Sequence, residues 1–268
     1  MVKYAVLSLL LMFSCVQKKA VNLPKPLLNA HAHNDYQHER PLFDALSYGF
    51  TSIEADIHLI NDTLFVAHGK EDINSEKTLE NLYLRPLYEI AENNDAYIYA
   101  ENIPFVLLID IKSDADSTYH ALNRVLANYQ NMLTFYNQEK VTKGAVTIII
   151  SGNRPLQLMK NENPRYTAYD GRPGDLKEDM SDHLIPLISA NWNDYFKWKG
   201  DGQIPENEGR KLAELVKTAH KQGRKVRFWA TDVISGNQQN FWRTLLAYKV
   251  DYIGTDKLKA LRDFLIKF

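Results

Sequence analysis

Residues 105–112 read Phe-Val-Leu-Leu-Ile-Asp-Ile-Lys, an apolar run that ends close to an acid and a lysine. A second run, Ala-Val-Thr-Ile-Ile-Ile-Ser at residues 145–151, is apolar over most of its length. Strands that are hydrophobic on both faces are typical of a parallel sheet covered by helices. The segment between the two runs predicts a helix at 116–133. This order of strand, helix and strand predicts an α/β fold.

The same alternation continues in both directions from this segment. It predicts eight strands, at residues 27–30, 51–60, 105–112, 145–151, 166–170, 184–190, 225–231 and 251–255, and one additional strand at 64–68. The helices are predicted at 41–48, 78–93, 116–133, 206–222, 237–248 and 257–268. Eight strands in about 240 residues match a closed (β/α)8 TIM barrel. No glycine-rich phosphate loop follows the first strand, which argues against a dinucleotide-binding sheet.

The composition is that of an ordinary globular protein. The chain has 268 residues, of which 45% are hydrophobic and 24% charged, and its formal net charge is −1. This balance argues against a nucleic-acid partner, because such partners require clustered positive charge. The single cysteine excludes an internal disulfide framework. We expect a monomer.

The first residues predict an export signal. Residues 1–14 combine an early lysine, an apolar run and Ser14 directly before Cys15. This order resembles the lipobox of bacterial lipoproteins, and the alternatives are an uncleaved membrane anchor and ordinary secretion. We expect a signal peptide at 1–14, a tether at 15–27 and one catalytic domain at 28–268. The expected location is the bacterial periplasm or cell surface, with a membrane anchor through lipidated Cys15.

Carboxylates concentrate on two neighbouring predicted strands. Glu54 and Asp56 share one face of the second strand, and Asp110 and Lys112 share one face at the end of the third. Ionised acids inside an apolar barrel are costly unless they are paired or bind a metal. Oxygen ligands on neighbouring strand ends suit a divalent cation, Mg²⁺ or Ca²⁺. The alternative is a salt-bridge cluster in which Lys112 and an arginine neutralise the acids.

Three histidines lie at the ends of predicted strands. His31 and His33 follow the first strand, and His68 ends the additional strand. Two separate imidazoles beside an acidic cluster suit cleavage of a phosphodiester, where one removes a proton from the nucleophile and the other protonates the leaving oxygen. The alternative for His31 and His33 is a pair of metal ligands, as in amidohydrolase-like barrels.

Five short motifs carry a resemblance to a known group of enzymes. His33-Asn34-Asp35-Tyr36 resembles the His-Asn-Thr-Tyr signature of eukaryotic phospholipases C, and Glu54-Ala55-Asp56 resembles the metal-binding Glu-x-Asp of the same superfamily. Residues 105–112 resemble a strand of sphingomyelinase D that ends in Asp-Leu-Lys. Residues 227–230 and 250–256 are similar to the last two strands of glycerophosphodiesterases. The chain thus resembles the phospholipase C-like phosphodiesterase superfamily, and within it the altered inheritance of mitochondria protein 6-like branch.

The resemblance implies a fold, a cofactor and a role for each matching residue. It implies a TIM barrel of the phospholipase C-like type that hydrolyses phosphodiesters with one divalent cation, Mg²⁺ or Ca²⁺. The implied metal ligands are Glu54, Asp56, Asp110 and Asn34, the implied acid/base pair is His33 and His68, and the implied substrate contacts are Lys112 and Trp229. His31 lies nearer the end of the first strand, and from this position we expect it to orient a ligand or line the pocket. The His-Arg-Gly and Glu-Asn-Thr motifs of true glycerophosphodiesterases are absent, so the resemblance leaves the exact reaction open.

Three functional hypotheses follow from these residues. The first is an extracytoplasmic, metal-dependent phosphoric diester hydrolase that acts on a small-molecule or lipid phosphodiester. The second is an amidohydrolase-like metal hydrolase, which also requires histidines at the ends of the fifth and sixth strands, where the sequence has Tyr169-Asp170 and Ser189-Ala190-Asn191. The third is a non-catalytic surface lipoprotein that binds a sugar or lipid head group.

Overall fold

A computed structural model of the chain describes residues 22–99, 103–138, 140–232 and 237–268. Within them, eight parallel strands form a closed barrel: β1 (Leu27–Ala32), β2 (Phe50–Ile60), β4 (Phe105–Ile111), β7 (Val146–Gly152), β8 (Thr167–Gly171), β9 (Leu187–Asn191), β10 (Lys225–Trp229) and β11 (Tyr252–Thr255). Strand β3 (Thr63–Val66) adds antiparallel to β2, and β5 (Phe135–Asn137) pairs with β6 (Lys140–Thr142) in a separate hairpin. The predicted TIM barrel is confirmed.

Helices alternate with most of the barrel strands. They are α1 (Phe43–Ser47), α2 (Arg85–Asn93), α3 (Ala115–Leu126), α4 (Leu156–Asn161), α5 (Trp192–Tyr195), α6 (Glu206–Lys221), α7 (Gln238–Ala247) and α8 (Leu258–Leu265). A π-helical turn, Glu80–Leu84, precedes α2, and short 3-10 turns lie at Asp35–Gln37, Lys70–Asp72, Ala127–Met132 and Pro173–Lys177. In the part of the chain described, every helix is too short or too polar to cross a bilayer.

Two pairings of β1 close the barrel. This strand pairs in parallel with β11, where His31 lies opposite Gly254, and also with β2, where His31 lies opposite Ser52. Strands β2 and β4 then pair so that Asp56 lies opposite Asp110. Because side chains alternate across a strand, this register brings the predicted acidic residues to one end of the barrel.

A small apolar cluster fills the barrel interior below that end. Its members are Val106, Leu108, Tyr136, Ile149, Ala168, Leu187 and Tyr252. On four of the barrel strands, the inward-facing residue two positions beyond the cluster member is polar: Asp110, Ser151, Asp170 and Ser189. The barrel interior therefore changes from apolar to charged along its axis, and the charged layer lies at the carboxyl-terminal rim.

Some predicted strand boundaries differ from the structure. Strand β1 continues to residue 32 because residues 30–32 pair with β11, which places His31 inside the strand. The predicted strand at 184–190 begins only at Leu187, since Pro186 has no amide hydrogen for a strand ladder. The β5–β6 hairpin was not predicted, because strands of three residues are too short to show a hydrophobic period.

The predicted helices also change in detail. The segment predicted as one helix at 78–93 divides into the π-helical turn and α2, which has proline in its first turn. The six-residue α4 and the four-residue α5 were not predicted, because neither is long enough to show a helical period. The predicted signal peptide and Cys15 lie outside the described residues.

Candidate active site

The carboxyl ends of the barrel strands surround a cleft of about 190 Å³. Its lining residues are His33, Asn34, Glu54, His68, Asp110, Lys112, Ser151, Arg172, Arg227 and Trp229. Asp56 lies among them at 1% exposure. Larger depressions occur elsewhere, including one of about 630 Å³ at the opposite end of the barrel, but it lacks this concentration of acids and imidazoles. The structure therefore brings most of the predicted site residues together.

Glu54 is fixed inside the barrel by a strong ionic contact. Its Oε2 accepts a short hydrogen bond from Nη2 of Arg227 and lies 3.3 Å from Nε2 of His31. Burial disfavours the ionised carboxylate, but Arg227 and His31 outweigh this effect and hold the pKa of Glu54 well below its usual value. Glu54 is therefore anionic at neutral pH.

Asp56 is the centre of a polar network. Its Oδ2 accepts hydrogen bonds from the Tyr36 hydroxyl at 2.9 Å and from Nδ1 of His68 at 3.0 Å. The ammonium group of Lys112 lies 3.2 Å from the same oxygen. In contrast, Oδ1 of Asp56 is buried and has no hydrogen-bond partner among the described residues. A buried carboxylate oxygen is rarely left without a partner, so this atom is available to a ligand.

Asp110 occupies the neighbouring strand end. Its Oδ1 lies 3.1 Å from Nζ of Lys112, which therefore contacts two acids. Burial raises the pKa of Asp110 to about 6. The nearby charges of Asp56 and Glu54 also raise this pKa, whereas Lys112 lowers it by a smaller amount. The backbone of Gly152 approaches closely, because a Cβ atom there would lie 2.1 Å from Asp110 Oδ1. Glycine at this position leaves room for the carboxylate.

The acidic cluster satisfies the geometric requirement for one shared cation. One carboxylate oxygen from each of Glu54, Asp56 and Asp110 lies within 4.8 Å of the other two. Ligand oxygens at about 2.0–2.6 Å from one ion can be at most about 5 Å apart. Lys112 and Arg227 neutralise part of the cluster, as the salt-bridge alternative predicts. Three carboxylates against two cations still leave negative charge, so these residues could hold a metal ion.

Asn34 lies beside this cluster on a strained turn. It adopts the left-handed backbone conformation, with φ of 47°, a region that asparagine tolerates better than most residues. Its Oδ1 lies 3.1 Å from the Tyr36 hydroxyl oxygen, whose single proton is donated to Asp56. Asn34 thus offers an additional oxygen at the edge of the acidic group.

His33 is paired with an acid from the other end of the chain. Its Nδ1 lies 2.8 Å from Oδ1 of Asp256, which follows β11. Burial lowers the pKa of His33, but the hydrogen bond with Asp256 and the charge of Glu54 reverse this and raise it overall. Asp256 is in turn fixed by its own backbone N–H, which donates a short hydrogen bond to Asp232. The arrangement orients the imidazole and leaves its Nε2 atom for the cleft.

His68 approaches from the other side of the cleft. Its Nδ1 is bonded to Asp56, while 65% of its side chain is exposed. Its backbone carbonyl lies 3.2 Å from Nε2 of His58, which supports the loop after β3. His33 and His68 are therefore two separate imidazoles, each held at Nδ1 by a different carboxylate.

His31 does not line the cleft. It is 1% exposed, and its Nδ1 lies 2.7 Å from the Ser52 hydroxyl. Burial and the charge of Arg227 lower the pKa of His31 to about 3, so the ring is neutral. A neutral ring donates to Glu54 from Nε2 and accepts from Ser52 at Nδ1. The structure thus separates His31, which orients Glu54, from His33, which reaches the cleft.

Four residues that line or support the cleft were not among the predicted site residues, namely Ser151, Arg172, Arg227 and Asp256. Arg227 lies two positions before Trp229 on β10, so strand alternation alone could have placed both on the inner face. Asp256 directly follows a motif strand, where a rim position is expected. Arg172 follows β8 in a loop, and the sequence contained no pattern that could have selected it.

Similarity to solved structures supports the fold. The calcium-dependent phosphoinositol-specific phospholipase C of a Gram-negative bacterium, Pseudomonas sp., superimposes with a TM-score of 0.57 at 12% sequence identity. The match covers 89% of this chain and 92% of that protein. At this level of identity, the similarity establishes the barrel architecture.

Curated relatives are fungal. An altered inheritance of mitochondria protein 6 homolog of Arthroderma benhamiae is 28% identical, covering 87% of this chain and 82% of the relative. Altered inheritance of mitochondria protein 6 of Eremothecium gossypii is 29% identical, covering 94% of this chain and 72% of the relative. These relatives contradict the predicted location: the expectation of a bacterial lipoprotein in the periplasm or at the cell surface was wrong. It rested on a short N-terminal pattern, which many apolar leaders share.

A family model matches the part of the chain that carries the acidic cluster. The AIM6-like phosphodiesterase domain matches residues 25–170. This range holds Asn34, Glu54, Asp56 and Asp110, and it includes both His33 and His68. The match spans more than half of the sequence, and the chain therefore belongs to the AIM6-like phosphodiesterase domain family.

Proposed function

We propose that this protein is a phosphoric diester hydrolase that uses one divalent cation and two histidines. One observation carries the proposal: three carboxylates, two separately held imidazoles and one lysine meet around a single cleft. Phosphodiester cleavage requires a positive site for the phosphate and two proton-transfer groups on opposite sides of it. The family and the barrel support the same class of reaction.

Glu54, Asp56 and Asp110 would hold the cation, and Asn34 would add a neutral oxygen. The unpartnered Oδ1 of Asp56 and the excess negative charge of the cluster support this assignment. Oxygen ligands of this kind suit Mg²⁺ or Ca²⁺. A bound cation would supply positive charge to a phosphoryl oxygen and to the attacking group.

His33 and His68 would exchange protons with the substrate. Each neutral imidazole that donates from Nδ1 to a carboxylate keeps Nε2 as its proton-accepting atom. One ring would remove the proton of the attacking oxygen, and the other, in its charged form, would protonate the leaving oxygen. Lys112 would contact a phosphate oxygen through its charged ammonium group. Burial lowers the pKa of Lys112, but Asp110 and Asp56 have the larger effect, so its pKa is raised overall and the group stays protonated.

The nucleophile depends on the substrate in this scheme. Where a hydroxyl neighbours the phosphate, its oxygen attacks the phosphorus, the bond to the leaving oxygen breaks and a cyclic phosphate forms. Where there is none, water attacks and an open monoester results. The same residues serve both reactions, because the proton balance is identical.

A substrate panel tests the proposal. Purified protein would be incubated with glycerophosphodiesters, lysophospholipids, sphingomyelin and phosphatidylinositol, with Mg²⁺, Ca²⁺ or EDTA. We expect hydrolysis of at least one diester, loss with EDTA and recovery on adding metal, with products assigned by phosphorus NMR. His33→Ala should lower the rate by about 10²–10⁴-fold, whereas His120→Ala, which changes an exposed histidine on α3, should not change it. Absence of turnover across the panel, or full activity in EDTA, would contradict the proposal.

A further inference from the structure

We propose that Arg172 and Trp229 select phosphodiesters whose head group is a polyol and disfavour those that carry a quaternary ammonium such as choline. This inference rests on the proposed function and specifies the substrate class of the same cleft. Both residues line the cleft, and neither takes part in the acidic cluster. Their mutual position decides what can bind next to the phosphate.

The indole ring of Trp229 already has a cation over it. The guanidinium carbon of Arg172 lies 4.7 Å from the ring centroid, within the range of about 6 Å for a cation–π contact. Proteins recognise quaternary ammonium groups through the faces of aromatic rings. A choline group that approached Trp229 would therefore meet a like charge.

Arg172 is not free to move away from the ring. Its Nη1 donates to Oδ2 of Asp170 at 2.8 Å and to the carbonyl oxygen of Gly171 at 3.0 Å. Asp170 is 0% exposed, and Ser151 donates a further hydrogen bond of 2.8 Å to the same oxygen. Removing the cation from a buried carboxylate is strongly unfavourable. The guanidinium is therefore a fixed part of the cleft wall.

The remaining donors of Arg172 suit hydroxyl oxygens. Within the described residues, all hydrogen bonds of this side chain use Nη1, which leaves Nε and Nη2 without a protein partner. These N–H groups can donate to the oxygens of a polyol or of the phosphate itself. The methyl groups of choline offer no acceptor. The same guanidinium thus favours one class of head group and opposes the other.

The experiment compares two substrates on three proteins. The ratio of kcat/KM for glycerophosphoglycerol to kcat/KM for glycerophosphocholine should be about tenfold or more in the wild type. Arg172→Met combined with Asp170→Asn removes both charges without leaving a buried carboxylate unpaired, and should lower the ratio by about tenfold. Arg210→Gln, which removes an exposed arginine on α6, should leave it unchanged. Circular dichroism would verify that each variant is folded.

A binding measurement separates this inference from the proposed function. Calorimetry should show tighter binding of glycerol 3-phosphate than of phosphocholine to the wild type, and a loss of this difference in the double variant. A wild type that hydrolyses both diesters but prefers the choline substrate would overturn the inference and leave the phosphodiesterase intact. If neither diester is hydrolysed, the binding measurement still tests the inference. Equal affinities of the wild type for glycerol 3-phosphate and phosphocholine, or the same difference in the double variant, would overturn the inference.

Discussion

Asp56 on β2 and Asp110 on β4 are direct partners in the parallel pairing of these strands. Equivalent positions on neighbouring parallel strands place their side chains side by side on one face of the sheet. Two carboxylates in this relationship repel each other unless a cation lies between or beside them. Lys112 supplies one such cation, and a metal ion would supply another.

Asp56→Asn should weaken cation binding and abolish turnover while the barrel stays folded. The substitution removes the charge that Lys112 and His68 contact, and it also relieves repulsion within the acidic cluster. Calorimetry would report the affinity for Mg²⁺ and Ca²⁺, and a thermal melt would report the fold. Asp179→Asn, a change at an exposed acid, is the matched control. Unchanged metal affinity in Asp56→Asn would contradict the shared site.

Gly152→Ala should disturb the same site through the backbone. Gly152 has a φ of +67°, and an added Cβ would lie 2.1 Å from Asp110 Oδ1. We expect a loss of about 1–3 kcal/mol in the free energy of unfolding, because strain of this backbone type adds to the clash. Gly174→Ala is the control, since a Cβ there meets nothing within 4 Å. Urea denaturation measures the free energy of unfolding of both variants. Equal losses in Gly152→Ala and Gly174→Ala would contradict the close approach of Gly152 to Asp110.

His33→Ala and His31→Ala should differ in kind. General acid–base catalysis contributes about 10²–10⁴-fold, so His33→Ala should lose about that much in kcat with little change in stability. His31→Ala should lose less activity but more stability, because it leaves the buried Ser52 hydroxyl without its partner and leaves Glu54 with only Arg227. Steady-state kinetics and thermal melts of both variants measure these differences in kcat and stability. If His31→Ala is the inactive variant and His33→Ala remains active, the assignment of the first motif is wrong.

Asp256→Asn should shift the pH profile through His33. The hydrogen bond with Asp256 is a main cause of the raised pKa of His33. A neutral amide supports the charged imidazole less well, so the pKa of His33 should fall. The limb of the kcat/KM profile that His33 sets should therefore move to lower pH. A profile with both limbs unchanged would show that this pair does not control the reaction.

Asp35 should make the metal-free protein less stable as the pH rises. Burial raises its pKa from 3.8 to about 6, although Leu42 N–H and the Tyr83 hydroxyl donate hydrogen bonds to it. The folded state therefore holds this proton more tightly than the unfolded state. The contribution to stability is full below pH 3.8 and is lost as the pH rises through about 6.

Asp35→Asn removes that pH dependence. The free energy of unfolding of this variant, relative to the wild type, should rise by about 2 kcal/mol between pH 4 and 7, since each pKa unit corresponds to about 1.4 kcal/mol and part of the effect lies below pH 4. Urea denaturation in EDTA at several pH values measures the difference, with Asp179→Asn as the reference. A constant difference across this range would refute the assignment to Asp35.

The parts of the site that lie on one strand or on two neighbouring strands could be predicted from the sequence. Alternation along residues 51–60 placed Glu54 and Asp56 on one face, and the apolar run at 105–112 placed Asp110 at a strand end. Contacts between residues that are distant in the sequence could not be predicted in this way. Arg227 pairs with Glu54 across 173 positions, and no local period encodes such a partner. Arg172 follows a strand in a loop, where side-chain direction depends on the whole fold.

The pairing of His33 with Asp256 also has a consequence for biosynthesis. The two residues follow the first and the last strand of the barrel, and they meet because β1 pairs with β11. During translation, β11 is synthesised after the other described strands of the barrel. A nascent chain still lacking β11 therefore has Glu54, Asp56, Asp110 and His33, but not the Asp256 carboxylate that orients the His33 ring. The cleft would therefore be complete only after β11 has been synthesised and has paired with β1.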